Sequence, residues 1–134
     1  GQPLDTQPLR HALASQYSLT EEQVDTVLQR AQAILQGEGA WVWDAAQLDW
    51  QANEVDIAWQ GRTLRIDRLV RQKTPGGAPP IWWVLDFKSA LDSNAQDTLR
   101  NQLADYREAV MRLHPQETVR AAFLTAQGKL VEPQ

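Results

Sequence analysis

An α/β fold with a mixed central sheet flanked by helices is the architecture that this 134-residue sequence predicts, and three observations carry it. Two segments with helical spacing precede three strand-like segments joined as a meander. A long amphipathic segment then separates the third strand from a fourth, which is the spacing that a crossover helix requires. The apolar fraction, 43% against 22% charged, suits a single domain that buries roughly two thirds of its unfolded surface.

The elements follow in order. Leu9 to Gln16 predicts a short helix with Pro8 near its first turn. Thr20-Glu21-Glu22-Gln23 fits a capping box, and Val24, Val27, Leu28, Ala31, Ile34 and Leu35 recur at helical spacing until Gly37 and Gly39, which predicts a helix over 20–36. From Trp50 to Trp59 the residues Val55, Ile57 and Trp59 alternate with polar neighbours. Gln60-Gly61 then turns the chain into a second strand, Thr63 to Arg71, with Leu64, Ile66 and Val70 on one face. Pro75 to Pro80 is a loop, and Ile81-Trp82-Trp83-Val84-Leu85 is the apolar run of a strand buried on both faces. Leu99, Leu103, Tyr106, Val110 and Leu113 trace one side of a helix that Pro115 ends. Val119 to Thr125 is a fourth strand, and Gln127-Gly128 turns into a short fifth. Residues 1–40 thus form an N-terminal helical segment and 41–134 the sheet-bearing core.

Composition excludes several classes of chemistry. With no cysteine, a disulfide scaffold, a thiolate zinc site, an iron–sulfur cluster and a Cys nucleophile are all ruled out. No apolar run approaches the roughly 18 residues that span a bilayer, and Gly1 to Leu9 lacks the basic and apolar regions of a signal peptide. The expectation is a cytoplasmic protein with no membrane partner. A net charge of −4 opposes binding of nucleic acid by bulk electrostatics. Arg62, Arg65, Arg68, Arg71 and Lys73 nevertheless form a local basic strip or, alternatively, a solvated strand face. The six Trp residues fit sheet packing better than base stacking. No phosphate-binding G-x-x-x-x-G-K-[ST] loop is present, so the chain is no ATPase by itself.

Two aspartates stand out because carboxylates are scarce in central strands. Asp67 lies within Leu64-Arg65-Ile66-Asp67-Arg68-Leu69-Val70 and Asp86 within Val84-Leu85-Asp86-Phe87-Lys88. A hairpin centred on Gly76-Gly77 sets Asp67 directly opposite Asp86, with Cβ atoms roughly 4.5–5.5 Å apart, where like charges repel unless a cation separates them. Lys88 follows on the same face. Two carboxylates, a lysine and a hard divalent cation suit phosphoryl-ester hydrolysis. The alternative is a set of ordinary ion pairs, Asp67 with Arg65 or Arg68 and Asp86 with Lys88. A loop asymmetry of one residue would instead send the two carboxylates to opposite faces.

Gly61-Arg62-Thr63-Leu64-Arg65-Ile66-Asp67-Arg68-Leu69, Trp83-Val84-Leu85-Asp86-Phe87-Lys88-Ser89 and Gln102-Leu103-Ala104-Asp105-Tyr106 together resemble the RecB-type branch of the PD-(D/E)xK nuclease superfamily. That branch carries an Asp after a Gly-led strand, a D-x-K on the next strand and a Q-x-x-x-Y on the following helix. The likeness covers about residues 50–131, and the two preceding helices resemble the nuclease end of UvrD- and AddA-type helicase–nucleases of the exonuclease V kind. It implies the α-β-β-β-α-β core of the restriction-endonuclease-like fold. It further implies Mg²⁺ or Mn²⁺ at Asp67 and Asp86 with the Phe87 carbonyl as a further ligand, Lys88 as catalytic lysine, and Gln102 and Tyr106 facing the site and the DNA. The implied parent is a longer helicase–nuclease, with a possible partner subunit, whose helicase part delivers single-stranded DNA in repair and recombination.

One departure concerns the metal shell. The branch usually has a metal-facing His or Glu on an upstream helix, often in a Gly-Thr-x-x-His segment, and this sequence has none. His11 is a poor match, His114 is a helix-end residue, and Glu54 on the first strand is the better supplementary carboxylate. The function expected is therefore a metal-dependent deoxyribonuclease, weak as an isolated piece. The rival is a degenerate nuclease-fold module that binds DNA or docks. Glycoside hydrolysis by the two carboxylates would leave Lys88, Gln102 and Tyr106 unexplained.

Overall fold

A computed structural model describes residues 5–30, 37–88, 96–125 and 128–133. Helices α1 (Gln7–Tyr17) and α2 (Glu21–Arg30) lead into strands β1 (Leu48–Trp59), β2 (Arg62–Gln72) and β3 (Ile81–Lys88). Helix α3 (Gln96–Leu113) crosses to β4 (Thr118–Thr125), and β5 (Leu130–Val131) closes the order. The five strands form one sheet in sequence order. Its β1–β2, β2–β3 and β4–β5 pairs are antiparallel and its β3–β4 pair is parallel. This is the predicted α-β-β-β-α-β core in a mixed sheet flanked by helices. The end of the helix expected over 20–36 lies outside the described residues.

Local chemistry accounts for the boundaries. The capping box is reciprocal: Gln23 N donates to Thr20 Oγ1 (3.2 Å), and Thr20 N donates to Gln23 Oε1 (2.8 Å). Gln60 (φ 48°) and Gly61 (φ 79°) are both left-handed, the requirement of the two-residue turn whose twist matches the flanking strands. Pro8 stands in the first turn of α1, where its missing N–H costs nothing.

The sheet is covered on both sides. Helices α1 and α2, with the 3₁₀ turn Ala40–Trp43, pack Leu9, Leu13, Val24 and Trp43 onto Val70, Trp83, Leu85 and Leu124. Helix α3 packs Leu103, Tyr106 and Val110 onto Ile57, Ile66, Val84 and Phe123 of the other face. Leu103 is wholly buried, and its truncation to Ala would cost about 2–5 kcal/mol. Among the described residues no helix is long and apolar enough to cross a membrane.

The strand faces are not continuous along β1 and β2. Ile57, Trp59, Leu64 and Ile66 face α3, as does Leu69, whereas Val70 faces α1. Leu64 and Ile66 therefore do not share a face with Val70, contrary to simple alternation. The reversal falls between Asn53↔Arg68 and Val55↔Ile66, where Glu54 and Asp67 drop out of the ladder. Glu54 adopts φ 55° there, a left-handed kink that turns the strand over and that non-glycine residues rarely adopt.

Candidate functional site

The kink in β1 and β2 is what makes room for the site. The β2–β3 ladder keeps the predicted register from Gln72↔Ile81 to Arg68↔Leu85 and stops one pair before Asp67 and Asp86. Beyond that point β3 continues with β4 alone, as far as Lys88↔Thr125. The Phe87 N–H, which has no β2 carbonyl to meet, donates instead to Asp67 Oδ2 at 2.8 Å. Asp67 thus lies where the two strands fork.

Asp86 enters the fork from β3 and is 4% exposed. Lys88 Nζ stands 3.2 Å from Asp86 Oδ2. That ammonium is off the axis of a hydrogen bond, and the buried Oδ2 has no donor among the described residues. Asp67 is pushed up to about 7, first by burial and next by the neighbouring Asp86 carboxyl, against the opposing pull of the Phe87 N–H. Two desolvated carboxylates share one site, and one oxygen is left without a partner.

The ordinary ion-pair alternative fails for Asp67. Arg65 is committed to Asp56, with Nε 2.9 Å from Oδ1 and Nη2 3.3 Å from Oδ2. Arg68 turns to the opposite side and bonds the Val42 carbonyl, Gln51 and Asn53. For Asp86 the expected pair with Lys88 is present.

The remaining residues singled out in the sequence lie around this pair. Gln102 Nε2 donates to Tyr106 Oη at 2.7 Å across one turn of α3. Burial raises the pKa of the Tyr106 hydroxyl, with the nearby Asp86 and Asp67 carboxylates adding to the shift. Glu54 lines an open pocket of about 240 Å³ together with Asp67, Phe87 and Arg65. Its carboxylate is turned toward α1, where Ser15 Oγ donates to Oε1 and His11 Nε2 stands 4.0 Å from Oε2. Among the described residues no three His, Asp or Glu side chains converge closely enough to hold a metal ion. The structure therefore brings together Asp67, Asp86, Phe87 and Lys88, with Tyr106 beside them, and keeps Glu54 on the adjoining pocket.

A hard divalent cation suits the fork on the chemistry of its donors. Both side chains are carboxylates, burial and then their crowding raise Asp67, and Asp86 Oδ2, without a donor among the described residues, is the lone pair a cation would take. Sequence reasoning placed Arg68 in a basic strip or beside Asp67 and missed that it is buried. The signal was available, since simple alternation sets it in line with Leu64, Ile66 and Val70.

No family model matches the chain. No curated protein matches it either. Among solved structures, it is similar to that of an XisH family protein from Nostoc punctiforme PCC 73102, with 18% identity, 74% of this chain and 69% of that one covered, and a TM-score of 0.38. A second is that of a fdxN element excision controlling factor protein from Anabaena variabilis, with 14% identity, coverage of 74% and 68%, and a TM-score of 0.37. At that level of likeness the function of the site has to be read from its own residues.

Proposed function

We propose that this chain is a metal-dependent nuclease domain that hydrolyses phosphodiester bonds in DNA. The observation that carries the proposal is the fork itself: two mid-strand carboxylates crowd together where the ladder opens, and a lysine stands 3.2 Å from one of them. Asp67 and Asp86 are the residues that would hold Mg²⁺ or Mn²⁺, with the Phe87 carbonyl as a further donor. A cation bound there supplies polarisation of the phosphoryl oxygen and a more acidic water.

The chain's own groups do the rest. The Phe87 N–H fixes one Asp67 oxygen and leaves the other for the cation. Lys88, partly exposed and held toward Asp86, offers an ammonium to the negative charge that develops on the phosphoryl group. Gln102 and Tyr106 orient the strand being cut from the α3 side. The finer reading is a DNA exonuclease domain of a UvrD/Rep-type helicase acting on single strands, and its support is the motif resemblance alone.

Labelled single-stranded and duplex DNA and RNA, incubated with Mg²⁺, Mn²⁺ or EDTA, test the proposal. Cleavage that requires metal and disappears in Lys88→Ala and Asp86→Asn, with the fold intact by circular dichroism, is the expected result. DNA binding without cleavage at any metal concentration would favour the non-cleaving module instead. Activity of the chain joined to a helicase portion, compared with the same pieces mixed, tests the finer reading.

A further inference from the structure

We infer that the groove over Arg68 is a phosphate-binding site separate from the Asp67–Asp86 pair. Arg68 is 1% exposed, and every acceptor that it meets is neutral. Its Nε and Nη2 donate to the Val42 carbonyl at 3.1 and 2.8 Å, Nη1 to Asn53 Oδ1 at 2.7 Å, and Nη2 also to Gln51 Oε1 at 2.5 Å. The guanidinium lies 4.3 Å from the centre of the Trp43 ring. It has no ion pair among the described residues, and burial alone pulls its pKa down to about 10.

A buried cation without a counter-charge keeps its full field, and guanidinium presents a fork that matches the oxygens of phosphate. The field has an outlet. Arg68 lines an open groove of about 430 Å³ with His11, Gln51 and Asn53, and Asp5 also lines it, its Oδ1 accepting from Gln7 N. Asn53 is pinned, because its Nδ2 donates to the Pro8 carbonyl at 2.9 Å. Gln51 has no such anchor among the described residues. Rotation of that half-buried side chain exposes the guanidinium to an anion and turns an amide donor toward the same anion. A purely structural arginine, clipping the Ala40–Trp43 turn to the sheet, accounts for the bonds to Val42 but not for the groove above them.

The choice of phosphate among oxyanions rests on the proposed nuclease function. Asn53 lines both this groove and the pocket that holds Glu54 and Asp67, so a polynucleotide reaching Asp67 through that pocket passes this groove.

The test uses calorimetric titration in EDTA, where no cleavage occurs. Its probes are inorganic phosphate, a 5′-phosphorylated thymidine oligonucleotide and the same oligonucleotide without the phosphate. Arg68→Gln risks the fold, so the decisive variant is Gln51→Glu, which sets a carboxylate at a position that already accepts from the guanidinium. Expected are saturable phosphate binding by the wild type, at least about tenfold weaker binding by Gln51→Glu, and a Tm for the variant equal to or above that of wild type. Binding of both phosphate and the phosphorylated oligonucleotide supports a site for free phosphate, and binding of the oligonucleotide alone supports one for nucleic acid. Absence of binding in all arms, or equal binding by Gln51→Glu, overturns the inference. Phosphate binding by a protein that cleaves nothing in metal would uphold this site while removing the nuclease reading.

Discussion

The two ends of β3 handle charge in opposite ways. At its beginning, Trp82 Nε1 donates to Glu117 Oε2 at 2.9 Å, Arg71 Nε donates to Glu117 Oε1 at 3.1 Å, and His114 Nδ1 stands 3.3 Å from the same carboxylate. The His114 ring stacks on Trp82 at 4.3 Å, and Arg71 also reaches Asp49. Glu117 is accordingly held below the usual carboxylate range, by the Trp82 bond first and Arg71 next. At the other end Asp67 is driven upward and Asp86 Oδ2 has no donor among the described residues. A satisfied network reads as architecture. The carboxylate pair at the other end, one from β2 and one from β3, is held in conflict by the fold around it, a conflict that a bound cation would relieve.

That contrast breaks most visibly in activity. Lys88→Ala should lower metal-dependent cleavage by at least about a hundredfold without shifting Tm much, whereas Trp82→Phe should leave cleavage intact. The assay is a labelled-DNA time course run beside a thermal melt. Equal losses from the two substitutions would mean that the Lys88 end is as structural as the Glu117 end.

Metal should act on one end only. Mn²⁺ or Mg²⁺ at 100 times its Kd should stabilise the wild type by about 2.7 kcal/mol, and Asp67→Ala with Asp86→Ala should abolish the rise. Differential scanning calorimetry against metal concentration checks this. A rise that survives in the double variant would place the cation elsewhere.

The pH profile sharpens the comparison further. Asp67 titrates at about 7 in the folded chain against an ordinary 3.8, so the folded state keeps a proton that the unfolded state has released. Its stabilising contribution is fully present below pH 3.8 and is lost as pH rises through about 7. In EDTA, Tm should therefore fall between pH 4 and 8, and Asp67→Asn should flatten that part of the curve. Glu117 has the reverse sign, since its contribution is lost as pH falls through its lowered pKa. The smallest effect expected is that of Trp82→Phe on stability, about 1 kcal/mol from the lost bond to Glu117, measured by urea denaturation.

The carboxylate-pair end of this contrast was legible in residue spacing. The symmetric loop at Gly76-Gly77 gave the correct β2–β3 register, because a hairpin's loop length fixes which residues oppose one another. The capping box, the Gln60-Gly61 turn and the Pro115 stop likewise act through neighbouring residues, so each could be read locally. The reversal of faces at Glu54 and Asp67 could not. It depends on a left-handed glutamate in mid-strand, a conformation that no propensity favours and that only the surrounding packing sustains. The side that Arg68 faces was hidden for the same reason, since uniform alternation would have set it with Leu64 and Ile66 rather than over Trp43. The Glu54 carboxylate, expected as a supplementary ligand, turns instead to Ser15 and His11, partners 39 and 43 residues away in sequence.

The fork also bears on the order in which the molecule folds. Asp67 and Asp86 belong to adjacent arms of a meander, so their encounter needs closure of one short loop, whereas the parallel β3–β4 pairing must wait for α3 to cross over. On that order, electrostatic repulsion between the two carboxylates would be felt before the sheet is complete, during the climb to the transition state. If a divalent cation binds the pair, its presence in refolding buffer should quicken the folding limb of a chevron plot as well as slow the unfolding limb, which would make it a kinetic participant in assembly.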